Sequence, residues 1–241
     1  MLFPTIVLAA CALVLVLRFY QPFVAVRLVQ KLLPDLTLHQ PGERPVVALT
    51  LDDGPDPDVT PLVLDVLKAE GVKATWFVMG ARVVAYPELY RRIVAEGHQV
   101  ANHFWDDTAT WRMDRTRFRD SLARTEAVID QERKPFLYRP ASGWFRPWAF
   151  AEAAQLEYRT VLGSAYASDP LRPPPRYIRW ALARMARPGA ILVLHVGTGR
   201  EATPAVLPLL IADVRAKGLE FVRLDDLLTA AASSIPPAPG A

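Results

Sequence analysis

Cysteine is nearly absent from this chain of 241 residues, in which Cys11 stands alone. A single cysteine cannot form an intramolecular disulfide, and it excludes a zinc site built on cysteine thiolates. Any metal ion would therefore be held by histidine, aspartate or glutamate side chains.

A strong excess of charge is also missing. Lysine and arginine number 28 against 25 acidic residues, for a net charge of +3. The basic residues are spread along the chain, without a basic run interleaved with aromatic residues, so we expect no nucleic-acid partner. The apolar fraction of 51% suits one substantial core, and we expect a single domain of about 190 residues behind an N-terminal extension. The composition leaves the oligomeric state open.

Charge is wholly absent from residues 2–17, which are almost entirely apolar. The run is slightly short for a bilayer span of about 20 residues. No basic residue precedes it, unlike in a cleaved signal peptide, and it continues past Cys11, which argues against lipoprotein cleavage. We therefore expect residues 1–20 to be an uncleaved membrane anchor or a signal-like helix. The basic residues that follow favour a cytoplasmic domain, but long domains translocate despite such charges, so the side of the membrane stays open.

The rest of the chain divides into three parts. Residues 21–45 are predicted to be a juxtamembrane segment, with an amphipathic helix over 24–33 and a linker over 34–45. Residues 46–231 alternate apolar strands with amphipathic helices over about seven repeats, which indicates an α/β domain with a parallel sheet. Residues 232–241 are rich in Ser, Pro and Ala and are expected to be a disordered tail.

Two adjacent carboxylates, Asp52 and Asp53, follow the apolar strand over 46–51. Neighbouring strand residues point in opposite directions, so the two aspartates should diverge, one toward a metal ion and the other toward a proton. The alternative is an Asp-Gly turn that closes a hairpin and needs no chemistry. The helix predicted directly afterwards leaves no partner strand for a tight hairpin, which favours the functional interpretation.

Three further strand ends carry polar residues, at what would be the carboxyl face of a barrel. His103 and Asp107 are four residues apart, so on a helical turn they would share one face and bind one ion together with Asp53. Arg139 precedes a proline and is therefore extended at a strand end, and His195 closes the most apolar strand. Each has a purely structural alternative: a buried histidine bonded to backbone, an aspartate that caps the next segment, or a surface arginine.

These segments resemble the ordered motifs of a known family. They are Thr50-Leu51-Asp52-Asp53-Gly54, Gly97-His98-x-x-x-Asn102-His103, Arg139-Pro140-x-x-Gly143 and Leu192-x-Leu194-His195. In this order they are similar to those of polysaccharide deacetylases, the fourth carbohydrate-esterase family, with the NodB homology domain. The resemblance covers roughly residues 46–228. It implies a distorted, incomplete (β/α)7 barrel related to the TIM barrel, here preceded by an N-terminal hydrophobic helix, and metal-assisted hydrolysis of an acetyl group on a sugar.

The resemblance also implies roles for single residues. Asp52 matches the general base that takes a proton from the attacking water, and Arg139 matches the arginine that orients this base. His195 matches the general acid that protonates the leaving amine. Asp169 is a looser match to the aspartate that orients the histidine.

The metal site implied by the resemblance departs from the family pattern. Asp53 and His103 match two ligands, but Asp107 stands where the family has a second histidine. An aspartate there could still coordinate through oxygen, as a harder ligand, or the site could be weakened. We expect a divalent metal ion, zinc first, with manganese, cobalt or nickel as alternatives.

Three residues are assigned to the substrate side by the same resemblance. Ser142 occupies the position whose backbone N–H helps to stabilise the oxyanion, and it replaces the usual aromatic residue. Gly143 and Trp144 follow it. The indole is a candidate for stacking on a sugar face, with packing as the equal alternative.

The sequence therefore predicts a metal-dependent hydrolase that removes acetyl groups from an N-acetylated polysaccharide or glycoconjugate, such as chitin or peptidoglycan. The bond cleaved would be a carbon–nitrogen amide bond other than a peptide bond. The alternatives are a glycan-binding protein with weakened catalysis on the same fold, an O-deacetylase, and an amidohydrolase on a non-sugar substrate. The expected partners are an acetylated glycan and a membrane, with the cell envelope as the expected location.

Overall fold

The computed structural model of the chain describes residues 21–129, 131, 135–141 and 146–232. Its strands are β1 (Leu36–Thr37), β2 (Val46–Gly54), β3 (Thr75–Val78), β4 (Gln99–Asn102), β5 (Phe136–Tyr138), β6 (Tyr158–Val161), β7 (Ala165–Tyr166), β8 (Ile191–His195) and β9 (Glu220–Val222). Its α-helices are α1 (Phe23–Leu32), α2 (Thr60–Ala69), α3 (Gly80–Ala85), α4 (Pro87–Ala95), α5 (Arg115–Glu126), α6 (Trp148–Gln155), α7 (Pro175–Met185), α8 (Ala202–Arg215) and α9 (Leu224–Ala232).

The strands form one parallel sheet in the order β1-β6-β5-β4-β3-β2-β8-β7, and β9 pairs with the first residues of β2. The sheet curls, since His39, two residues after β1, meets Ala190, the residue before β8, in an antiparallel bridge. Elements from opposite ends of the strand order therefore meet. This architecture confirms the predicted α/β fold with an incomplete barrel.

The central strand is β2, and its sequence explains its place. Its first seven residues are all buried, as expected for a parallel strand covered on both faces. Val46 and Ala48 belong to the apolar cluster inside the sheet, to which α9 contributes Leu224 and Leu227. Because side chains alternate along a strand, Thr50 and Asp52 continue this inner row. The inner row of β2 thus changes from apolar to polar toward its carboxyl end.

Residues 21–33 connect the two edges of the sheet. At one edge, the side-chain amide of Gln21 donates to the carbonyl of Tyr166 in β7 at 2.7 Å and accepts from its N–H at 3.3 Å. At the other edge, Val26 and Leu33 pack against the cluster that contains Leu36 of β1. The sequence predicts a linker over 34–45, but this stretch contains β1, which pairs with β6. A strand of two residues is too short to show a periodic pattern.

The predicted anchor over residues 1–20 lies outside the described residues, as does the tail from residue 233 onward. Ala232, assigned to the tail from the sequence, is the last residue of α9. In the ranges that the structure does describe, no helix has the length and apolar character needed to span a bilayer.

Candidate active site

Asp52 lies at the carboxyl edge of the sheet, between two neighbouring strands. It is 2% exposed, and it is in register with Phe77 of β3 and His195 of β8. Arg139, which follows β5, reaches across the barrel and donates from Nη1 to Asp52 Oδ1 at 2.5 Å. The same nitrogen donates to Thr50 Oγ1 at 2.8 Å. A buried carboxylate and a buried guanidinium therefore form one charge pair inside the barrel.

The guanidinium of Arg139 is fixed by further contacts. Its Nε donates to the carbonyl of Val161 at 3.2 Å, and its Nη2 donates to the carbonyl of Leu162. The guanidinium carbon lies 4.0 Å from the ring centre of Phe77. These contacts set the position of Asp52 Oδ1, while Asp52 Oδ2 faces Nε2 of His195 at 3.8 Å. That separation is too long for a hydrogen bond. The two groups therefore face the same space, and both remain available to a substrate.

His195, the last residue of β8, is held by Asp169. Its ring Nδ1 lies 3.0 Å from Asp169 Oδ1, and its backbone N–H donates to Asp169 Oδ2 at 2.9 Å. The carboxylate fixes the ring through Nδ1 and leaves Nε2 pointing toward Asp52. Burial alone would lower the pKa of His195, but the charge of Asp169 and its hydrogen bond outweigh burial and raise the pKa to about 9. The imidazole is therefore protonated at neutral pH.

Asp53 takes a different course from its neighbour because β2 bulges at this point. The pairing with β3 slips by one residue between Asp52 and Gly54, and Asp53 has a φ of 72°, in the left-handed region that Asp tolerates better than most residues. Simple alternation would send this side chain toward the outer helices. The bulge instead brings Asp53 Oδ1 to 3.2 Å from Nε2 of His103. Bulges beside functional sites commonly redirect a side chain in this way.

Asp53 and His103 have the properties of two metal ligands. Burial raises the pKa of Asp53, but the hydrogen bond with His103 and the charge of His195 outweigh burial and hold it well below its ordinary value. His103 Nδ1 lies 2.8 Å from the carbonyl of Arg139, which can only accept, so Nδ1 carries a proton. Nε2, which faces Asp53 Oδ1, is the nitrogen that would bind a cation once it gives up its own proton. A backbone carbonyl behind a ligating imidazole is the usual arrangement in metal sites. Both residues fit a divalent cation on these grounds.

The third expected ligand, Asp107, is placed less closely. Residues 105–107 form a bend rather than the helical turn expected from the spacing, because Phe104 has a φ of 63°. Asp107 is an exposed residue, yet its pKa is raised, first by partial burial of the carboxyl group and then by the charge of Asp53. Across the described ranges, no three His, Cys, Asp or Glu side chains come together as a ready metal site.

Ser142, Gly143 and Trp144, the expected substrate-side residues, lie outside the described residues. The structure brings together the other expected residues, with Asp107 at the margin.

Sequence reasoning missed several residues that shape the site. Thr50 accepts from Arg139 and donates to the carbonyl of Leu192 at 2.8 Å; its inward position two residues before Asp52 was the available signal. Thr203 donates to the carbonyl of His195 at 2.7 Å, with no signal in the sequence. Gly197 passes so close to Asp53 that an added Cβ would stand 2.8 Å from the Asp53 Cβ.

Comparison with known proteins agrees with this geometry. The profile of the polysaccharide deacetylase family matches residues 39–161, about half of the chain. The chain belongs to the polysaccharide deacetylase family. The chain is 32% identical over 198 residues to a peptidoglycan-N-acetylglucosamine deacetylase from Bacillus cereus, an alignment that covers 80% of this chain and 92% of the relative. It is 35% identical over 196 residues to a chitooligosaccharide deacetylase from Bradyrhizobium sp., covering 75% of this chain and 90% of the relative.

Solved structures give the same result for the fold. A peptidoglycan N-acetylglucosamine deacetylase aligns with this chain at a TM-score of 0.76 and 27% identity, over 81% of this chain and 93% of the other. A family 4 acetyl xylan esterase from Clostridium thermocellum, solved with a cobalt ion, aligns at a TM-score of 0.70 and 32% identity, over 79% of this chain and 93% of the other. The cobalt ion in that esterase is consistent with the metal dependence of the family.

Proposed function

We propose that this protein removes acetyl groups from an N-acetylated glycan of the cell envelope by hydrolysing a carbon–nitrogen amide bond. The observation that carries the proposal is the pairing of Asp52 with His195. One oxygen of Asp52 is held by Arg139, the other faces His195 Nε2 at 3.8 Å, and Asp169 holds the far side of the imidazole. A carboxylate base and an imidazolium acid that share one space are the two proton-transfer groups that amide hydrolysis needs.

Asp52 is the general base in this proposal. Its ion pair with Arg139 keeps the carboxylate oriented, and Oδ2 is the oxygen that takes the proton from the attacking water. A divalent cation held by Asp53 and His103 would polarise the acetyl carbonyl and make that water more acidic. The two aspartates thus divide the work: Asp52 handles the proton and Asp53 contributes to the cation site.

His195 is the general acid. With a pKa raised to about 9, its ring carries a proton on Nε2 at neutral pH and delivers it to the nitrogen of the leaving sugar amine. Nδ1 keeps its hydrogen bond with Asp169 throughout, so the ring does not need to turn between steps. The backbone N–H of Ser142 is proposed to stabilise the oxyanion, and Gly143 and Trp144 to line the groove that receives the sugar.

Acetate release tests these assignments. Purified protein loaded with metal is incubated with N-acetylated chitooligosaccharide or peptidoglycan, and acetate is measured. We expect Asp52→Asn and His195→Ala each to lower the rate at least about a hundredfold while the protein keeps its metal. Asp120→Asn, a change at an exposed carboxylate on α5, is the control and should leave the rate unchanged. Full activity in either site variant would refute its assigned role.

Asp107 is proposed to complete the cation site with Asp53 and His103, with zinc as the first choice and manganese, cobalt or nickel as alternatives. The raised pKa of its carboxyl group, partly due to the charge of Asp53, supports a position near the pair. We expect the metal affinity of Asp107→Ala to be at least about tenfold lower, which elemental analysis should detect as a lower metal content. The matched control is Asp106→Ala, because Asp106 accepts from the N–H of Thr108 at 2.9 Å and is not needed for metal. Equal metal content in wild type and Asp107→Ala would refute the assignment.

An O-deacetylase is the second candidate, favoured by the 32% identity to the acetyl xylan esterase. The same base, acid and cation would serve an ester as well as an amide. Parallel rates on acetylated xylan and on N-acetylated chitooligosaccharide separate the two activities. A faster rate on xylan would replace the N-deacetylase proposal.

We also propose that residues 1–20 tether the domain to a membrane of the cell envelope. The support is compositional, since residues 2–17 carry no charge. Fractionation of cells that express the full chain and a chain without residues 2–17 tests this. Full-length protein in the soluble fraction would overturn it.

A further inference from the structure

A second polar site lies beside α1, away from the active site. A cavity of about 540 Å³ is lined by Arg27, Lys31 and His39, together with Phe23, Gln30, Pro41, Gly42 and Pro188. His39 bridges to Ala190, the residue before β8, whereas His195 ends that strand. Five residues of strand at about 3.3 Å each place this cavity about 16 Å from the catalytic histidine. The cavity is therefore separate from the active site.

The groups around the cavity are suited to an anion. Arg27 and Lys31 line it, the guanidinium of Arg187 lies 4.2 Å from the ring centre of Phe23, and no carboxylate is among the lining residues. His39 is 7% exposed, and within the described part of the chain its Nδ1 has no hydrogen-bond partner. The pKa of His39 is lowered to about 4, first by burial and then by the charges of Arg187 and Arg27. Three cations around a cavity that no carboxylate lines favour a ligand with negatively charged oxygens.

The outer face of α1 adds an apolar stripe next to this cavity. Val24, Leu28 and Leu32 recur at four-residue spacing on one face, and they are 78%, 56% and 68% exposed. Arg27 and Lys31 lie alongside the stripe, and α1 contains no acidic residue. Apolar side chains bordered by cations, without carboxylates, are typical of helices that lie in the interface of an anionic membrane.

The helix is firmly attached to the domain. The side chain of Gln30 donates to the carbonyl of His39 at 2.8 Å and accepts from the N–H groups of Leu38 and His39 at 3.0 and 2.8 Å. The exposed stripe is therefore a fixed surface of the domain. In the sequence, residues 18–22 separate α1 from the uncharged, apolar residues 2–17.

We propose that α1 lies in the interface of a bilayer and that the cavity beside it binds the phosphate of an anionic phospholipid. The stripe of Val24, Leu28 and Leu32 enters the acyl boundary, and Arg27 and Lys31 contact the lipid phosphate above it. The positive charge of the cavity and the absence of carboxylates on α1 favour an anionic lipid over a second copy of this chain.

Hydrogen–deuterium exchange of the full chain in vesicles tests the proposal. The protein is reconstituted in phosphatidylcholine alone or with phosphatidylglycerol as about a third of the lipid, and exchange is measured over α1. We expect about thirtyfold slower exchange with phosphatidylglycerol, at roughly fivefold for each cation near an anionic surface. Arg27→Gln with Lys31→Gln should abolish the difference. Lys68→Gln with Arg91→Gln, which removes two exposed cations from α2 and α4, should retain it.

Three results would overturn the proposal. The first is equal exchange over α1 in both kinds of vesicle. The second is equal slowing by millimolar inorganic phosphate in phosphatidylcholine vesicles, which would make the cavity a site for free phosphate. The third is slowing that depends on the protein-to-lipid ratio rather than on lipid charge, which would indicate a second copy of the chain. Both double variants should unfold at the same temperature as the wild type. This control ensures that a loss of the slower exchange over α1 does not reflect misfolding.

Discussion

Replacing Asp169 by Asn changes the group that keeps His195 protonated. The raised pKa of His195, about 9 against an ordinary 6.5, corresponds to about 3 kcal/mol in favour of the imidazolium. Burial opposes this preference, and the charge and hydrogen bond of Asp169 are the largest contributions in its favour. An asparagine keeps the shape and can still accept from the backbone N–H of His195, but it cannot stabilise the positive ring. Burial and the charges of Asp52 and Asp53 still act in opposite directions, so we expect the pKa of His195 to fall to about its ordinary 6.5 in Asp169→Asn.

The consequence for activity depends on pH in a way that misplacement of the ring would not. If His195 must be protonated, the variant should lose about fourfold at pH 7 and about thirtyfold at pH 8, from the protonated fractions at pKa values of about 6.5 and 9. Below pH 6 the protonation effect should nearly vanish. Any loss due to ring orientation would add a factor that is the same at every pH.

The assay is the pH profile of kcat/KM for acetate release, with wild type and variant loaded with the same metal. The ring signals of His195 in a proton NMR titration give its pKa independently of turnover. Asp120→Asn is the control for a lost surface carboxylate. A variant whose activity ratio to wild type stays constant from pH 6 to about pH 8.5, or whose His195 still titrates near 9, would refute the reasoning.

Three further predictions concern buried groups. Arg139→Ala should lower the free energy of unfolding by about 3–5 kcal/mol, because Asp52 would keep a buried charge without its partner; a loss under about 1 kcal/mol in urea denaturation would contradict this. Gly197→Ala should lower metal affinity at least about tenfold, because the new Cβ would press on Asp53; isothermal titration that gives the wild-type affinity would be the contrary result. His98→Gln should reduce the loss of stability in acid. Burial lowers the pKa of His98 from 6.5 to about 4. Between these two pH values the unfolded chain binds a proton at His98 that the native protein does not bind. The free energy of unfolding of the wild type should fall by up to about 3 kcal/mol between pH 6.5 and 4. An equal fall in His98→Gln, measured by denaturation at each pH, would contradict the assignment.

The main features of the fold and the site follow from patterns along single strands. Asp52, Arg139 and His195 each follow an apolar stretch, and parallel strands bring such positions to one edge of the sheet. That edge is where the structure places them. The ordered motifs then indicated the family, which the comparisons confirm.

Other parts of the site depend on distances between strands, which a single sequence does not encode. Asp169 reaches His195 because β7 pairs with β8, and β7 has only two residues, too few for a visible period. Asp53 turns toward His103 through a bulge, and a bulge leaves no mark in the pattern of apolar residues. The expected helical turn from His103 to Asp107 is absent because Phe104 adopts a left-handed conformation, which the spacing of two ligands could not reveal.

The side chain of Gln21 has a consequence for how this domain can be handled. Its amide pairs with both backbone groups of Tyr166 on the side of β7 that β8 does not cover, so it occupies part of a free sheet edge. Free edges pair readily with other chains and promote aggregation. A catalytic fragment that starts at residue 46, where the sequence motifs begin, would uncover β7 and also lack β1. A fragment for crystallisation or enzymology should therefore begin at or before residue 21.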